Sequence, residues 1–191
     1  MRITSLFGLP AHILFVHIPV VLVPLVLVGT VAMLWSSMLR RFGWLIVVLA
    51  GAALVGTVLA TQSGKALRRY VTPTALVRQH TRIGGNLTIW AVLLFGLVVA
   101  AVAWDWITAR RFDAVSVGPG SVATVEVVGY RFTARTVRRV TVVLTALSVV
   151  VAVVATYWVI RIGHSGARAS WSTVQHRIDT GQRVGGVGGG H

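Results

Sequence analysis

Cysteine is absent from the 191 residues, which removes disulfides, thiolate metal sites, covalent c-type haem attachment and thiol catalysis in one step. Acidic residues are scarce as well: four Asp plus Glu stand against 18 Lys plus Arg, a formal net charge of +14. Charged residues of both signs make up 12% of the chain and hydrophobic ones 55%, whereas a soluble globular domain carries roughly 25% charged residues. Water is therefore not the main solvent. The basic excess would suggest nucleic acid if it lay on a soluble face. Nearly all of it instead flanks long apolar runs, where each basic residue gains about 1 kcal/mol beside anionic head groups. The expected partner is the lipid bilayer, with no role for nucleic acid.

Four apolar stretches, residues 13–35, 44–61, 87–104 and 140–160, contain no Asp, Glu, Lys or Arg, and each approaches the ~20 residues that cross a bilayer core. Their valine and isoleucine would favour strands in water, but lipid-exposed backbone must satisfy its own hydrogen bonds, so isolated spans have to be helices. The predicted class is all-α, an integral membrane four-helix bundle with helices at about 11–38, 43–62, 84–106 and 138–161. Residues 1–171 form the transmembrane domain, and residues 172–191, polar and then Gly-rich, read as a flexible tail. The first stretch exceeds a signal-peptide core and no small-residue cleavage pattern follows it, so it reads as a retained helix. Pro19 and Pro24 lie inside it, and each removes a backbone hydrogen bond and bends the axis. The expected location is the cell membrane, crossed several times.

Trp35, Trp44, Trp104 and Trp106 gather at one membrane face and Tyr157 and Trp158 near the other, as interfacial belts do. Four spans put the N-terminus, residues 62–86 and the C-terminal tail on one side, termed X, and residues 36–43 and 105–139 on the other, termed Y. Arginines load both sides almost equally, so the positive-inside rule favours neither orientation. In the long side-Y loop, Gly118, Pro119 and Gly120 predict a small hairpin from about 112 to 128. Ala52, Gly56 and Ala60, and then Gly96 and Ala100, recur every four residues and predict close helix contacts. Gln62-Ser63-Gly64 after the second span and His164-Ser165-Gly166 after the fourth hint that two helix pairs form an internal repeat.

The histidines carry the functional reading. His12, His17, His80 and His164 lie at the side-X ends of three different spans, side Y has none, and His176 and His191 fall in the tail. Neutral imidazole ligates haem iron and transition metals alike. His17 lies roughly 6 Å deeper than Ile13 at 1.5 Å per residue, a depth at which a polar group is expensive and usually functional. His12 and His17 stand roughly 140° apart around a straight helix, so one partner would not face both. His80 is expected on a helical extension starting at Pro73 with Thr72 as its cap, and Gly84 one turn on leaves room for a porphyrin edge. No intramembrane carboxylate pair, phosphate-cradling loop or Ser-His-Asp spacing is present, so a hydrolase is not expected.

The opening LPAHILFVHIP at residues 9–19, then His80, then GHSGA at 163–167, resemble the bacterial four-helix membrane family catalogued as domain of unknown function 2231, from Leu6 to about Trp171. The most specific part is the His-x4-His-x-Pro opening, although Ile13 stands where a proline often follows the first histidine. The resemblance implies a four-helix membrane domain, joined in some relatives to cytochrome c or Rieske-like modules, and hence electron transfer among respiratory or other redox membrane proteins. The sequence thus predicts a membrane protein binding b-type haem or a transition metal through His17 with His80 or His164, supported by His12. A cofactor-free accessory or scaffold subunit is the alternative, and a metal-ion permease the third class.

Overall fold

Each apolar stretch is helical in the computed structural model, which describes residues 5–6, 9–67, 74–113, 124–127 and 130–179. Among these residues are four helices: α1 (Ala11–Ala32), α2 (Ser36–Leu67), α3 (Ala75–Asp113) and α4 (Ala134–Asp179). All four are long and apolar enough to cross a membrane. Helix α1 runs unbroken through Pro19 and Pro24. It stops short of residue 38 because its last turn tightens, with Leu34 N donating to Val31 O and Trp35 N to Ala32 O. Trp35 O then accepts from Met38 and Leu39 and starts α2. Helix α4, at 46 residues, is about 69 Å long, more than twice a ~30 Å hydrocarbon core. It continues past Trp171 to Asp179, so the polar stretch begins as helix, while residues 180–191 lie outside the described residues.

Short strands flank the bundle. β1 (Ser5–Leu6) pairs with β2 (Leu9–Pro10), and β3 (Thr124–Val127) pairs antiparallel with β4 (Tyr130–Thr133), Val125 opposite Phe132. The expected turn at Gly118, Pro119 and Gly120 lies outside the described residues. Phe132 meets Trp104 edge to face, ring centroids 5.5 Å apart, and Trp104 Nε1 donates to Val137 O at 3.4 Å. These contacts dock β4 against the side-Y ends of α3 and α4. On the same side Arg40 of α2 reaches the mostly covered Asp105 of α3 at 3.7 Å.

The helices form a ring in which each packs against its sequence neighbours and α4 closes on α1. Lipid tails are as apolar as the helices, so association rests on close packing rather than on the hydrophobic effect. The interior is accordingly small-chained: Ala50, Ala53, Ala91, Ala101, Ala152 and Ala155 are buried, while Val28, Val48 and Ile89 face outward. Gly56 lies directly against Ile18, and Gly29 against Ile46, which seats α1 on α2. One expected stripe is corrected: Gly96 and Ala100 are exposed, and nothing lies within 4 Å of where a Gly96 side chain would begin. The inward face of α3 is Leu87, Ala91, Leu94, Val98 and Ala101. On α2, Gly56 and Ala60 are buried but Ala52 is exposed. Buried Thr30, Thr57, Thr145 and Ser148 each donate to a carbonyl three or four residues back, so among the described residues no buried hydroxyl is left unpaired.

The two helix hairpins are equivalent halves. An offset of 68 carries buried Pro19, Val23, Val26, Thr30 and Met33 of α1 onto buried Leu87, Ala91, Leu94, Val98 and Ala101 of α3. An offset of 102 carries buried Gly43, Ile46, Ala50, Ala53 and Thr57 of α2 onto buried Thr145, Ser148, Ala152, Ala155 and Val159 of α4. The same offsets carry His12 onto His80 and Ser63-Gly64 onto Ser165-Gly166. Because α1 and α3 cross in the same direction, we read the matching burial as a parallel internal repeat, whose pseudo-two-fold axis would run along the membrane normal.

Candidate functional site

The side-X mouth of the bundle is built twice, once by each hairpin. Thr74 opens α3 as its N-cap: its hydroxyl accepts from Val77 N at 3.3 Å and its carbonyl from Arg78 N. The cap is thus Thr74, which can reach the third helical N–H, whereas Thr72 and Pro73 lie outside the described residues. One turn further on, His80 points inward. Its Nδ1 lies 2.9 Å from Ser165 Oγ, and Ser165 in turn donates to Ile162 O at 2.8 Å. In the other half, His12 Nδ1 donates to Ala60 O at 2.9 Å, with Ser63 Oγ 3.4 Å from the same nitrogen. Ser63 itself donates to the carbonyls of Leu59 and Ala60.

Glycine lets both rings approach the neighbouring helix. A Cβ on Gly64 would stand 3.0 Å from His12 Cε1, and one on Gly166 would stand 3.2 Å from His80 Cε1. Resting on these glycines, the two imidazoles meet edge to face, centroids 6.4 Å apart and planes at 78°. A carbonyl can only accept, and a serine whose proton is committed to a carbonyl also accepts, so each Nδ1 carries the ring proton. In the neutral ring that leaves Nε2 with a free lone pair.

The four histidines of the sequence reading separate into two groups. His12 and His80 are half-buried and come together. His17 is exposed, its Nδ1 turned back onto its own Ile13 carbonyl at 2.6 Å, and His164 is exposed on α4 beside Ser165. His176 lies on the last turns of α4, and His191 lies outside the described residues. Among the described residues no three His, Asp or Glu side chains cluster as a metal cage. The residues missed as site members are Ser63, Gly64, Ser165 and Gly166, whose repetition was visible in the sequence without its contacts.

Arg161 lies 5.8 and 5.7 Å from the ring centroids of Tyr157 and Trp158, an arginine on an aromatic belt of the kind that marks the membrane–water interface. Ser165 is one turn beyond it. The His12–His80 pair therefore lies about one turn beyond this belt, at the side-X end of the bundle.

Residues 8–179 match the model of a family described as "Predicted membrane protein (DUF2231)". No curated protein and no solved structure matches the chain.

Proposed function

The chain belongs to the DUF2231 family of predicted membrane proteins, and from that premise we propose that His12 and His80 are the axial ligands of a b-type haem at the side-X face, through which the protein passes electrons to or from redox partners in or at the membrane. The observation that carries this reading is the pairing of the rings at 6.4 Å with both Nδ1 atoms held by neighbouring helices. The donor count supports haem over a bare ion. A structural zinc takes four protein ligands, and this pair supplies two, whereas a porphyrin brings four nitrogens of its own and asks the protein only for axial ligands.

Bound there, haem would supply one-electron reduction and oxidation at its iron. The chain's own residues orient the ligands: an N–H held by a carbonyl or hydroxyl fixes ring direction and raises the basicity of the other nitrogen. Its place at the side-X end of the bundle would bring the pair within reach of partners on that side as well as of partners in the bilayer.

One observation favours a second reading, a cofactor-free accessory subunit: the same hydrogen bonds join α1 to α2 and α3 to α4, as structural staples would. Absorption spectra separate the two. Purified in detergent after growth with haem available, the protein is expected to show a Soret band and a reduced α band. His12→Ala and His80→Ala should each abolish or displace them, while His17→Ala and His164→Ala leave them intact. A folded wild-type protein without colour overturns the haem reading, and bound metal in such a colourless sample reassigns the pair to a bare ion.

A further inference from the structure

Resting on the reading of the His12–His80 pair as a ligand site, we infer that Ser63 and Ser165 are its positioning residues, equivalent members of the internal repeat that hold each imidazole as the Nδ1–H tautomer and leave both Nε2 atoms free for a ligand on the pseudo-two-fold axis. Three observations converge. The two serines are related by the same 102-residue offset that matches the buried positions of α2 to those of α4. Both have their own proton committed to their own helix, Ser63 to Leu59 O at 2.8 Å and Ser165 to Ile162 O at 2.8 Å, so toward histidine they act as acceptors. And both are followed by the glycine on which the imidazole rests. A Ser-Gly step on a helix thus does two things at once: the serine supplies an acceptor to the Nδ1 side of the ring, alone or beside a carbonyl, and the glycine sets the distance.

The halves are not identical, and the difference sharpens the inference. His12 Nδ1 reaches the Ala60 carbonyl directly at 2.9 Å, with Ser63 further off at 3.4 Å. His80 Nδ1 lies closest to Ser165 Oγ, at 2.9 Å, and the Ile162 carbonyl to which Ser165 donates also bears on the ring. Removal of Ser165, the nearest partner of His80 Nδ1, should therefore loosen that ring more than removal of Ser63 loosens His12, whose Nδ1 has the Ala60 carbonyl at 2.9 Å. The role is one of orientation: neither serine touches the ligand.

The test is NMR of the full chain with 15N-labelled histidine in detergent micelles without added haem. Two histidines are expected to show the Nδ1–H pattern, identified as His12 and His80 by their loss in His12→Ala and His80→Ala. Ser165→Ala should convert His80 to a mixture of tautomers, Ser165→Thr should restore the single form, and Ser63→Ala should alter His12 less than Ser165→Ala alters His80. Haem titration of the same variants gives the second readout, a loss of affinity of about 10–100-fold for Ser165→Ala that the threonine reverses. Nε2–H tautomers in the wild type, or a His80 signature unmoved by Ser165→Ala, overturn the inference. If the tautomers behave as stated but no haem binds, the positioning role stands and the haem reading falls.

Discussion

At the residue scale the decisive positions are the smallest ones. Gly163 and Gly166 lie three residues apart on α4, yet a Cβ at Gly163 meets nothing within 4 Å and one at Gly166 stands 3.2 Å from His80 Cε1. Alanine is a better helix former than glycine by about 0.8–1.0 kcal/mol. Gly163→Ala is therefore expected to raise stability in detergent by up to that amount, by thermal unfolding. Gly166→Ala should gain little or nothing, because its methyl pushes the imidazole aside, and a larger Gly166→Val should cost about 1–3 kcal/mol through overpacking and shift any Soret band. Equal responses at the two glycines would mean that His80 does not rest on Gly166. The same scale explains what could be read from the sequence at the site. That imidazoles gather on side X follows from counting residues along the spans. Which of them face inward does not, because α1 is apolar all round and its sequence carries depth without azimuth. His12 shares a face with Pro19, Val23 and Val26, at helical spacings of 7, 11 and 14 residues. That face is the buried one, which sends His17 outward however deep it lies.

At the element scale the four helices were legible because hydrocarbon leaves an isolated span no other way to pair its backbone, and a run without Asp, Glu, Lys or Arg is hard to mistake. Their ends were less so. Trp35 closes α1 and opens α2 through turn hydrogen bonds, and α3 and α4 outlast their apolar stretches into polar sequence that helical periodicity in hydropathy does not mark. Contact faces were read from small-residue spacing alone, which succeeded at Gly56 and missed at Gly96. The two glycines give a paired prediction. Gly56 abuts Ile18 and Pro19 of α1, so Gly56→Leu should separate the first hairpin and lower stability by about 1–3 kcal/mol or more. Gly96 looks out from α3 with nothing near it, so Gly96→Leu should fall within about 0.5 kcal/mol of wild type. Unfolding of both variants in one detergent checks the contrast, and a damaging Gly96→Leu would point to a helix-packing surface outside this bundle.

At the scale of the whole molecule, the pseudo-two-fold axis and the four crossings fix which ends share a side, independently of which side is cytoplasmic. The starts of α1 and α3 and the ends of α2 and α4 bring His12, His80, Ser63 and Ser165 into one layer, while Arg40, Asp105 and the β3–β4 hairpin occupy the other. An odd number of crossings would separate the two half-sites by the thickness of the membrane and leave no shared ligand. Because the chain has no cysteine, single cysteines report this arrangement without background. Thr74→Cys and Trp171→Cys stand at exposed side-X positions, and Ser36→Cys and Thr133→Cys at exposed side-Y positions. In sealed vesicles of one orientation, a membrane-impermeant maleimide is expected to label one of these pairs at once and the other only after permeabilisation. If Thr74→Cys and Trp171→Cys label from opposite sides, α4 does not return to the face where α3 begins. His80 and Ser165 could then not meet, and the site would be lost together with the repeat that builds it.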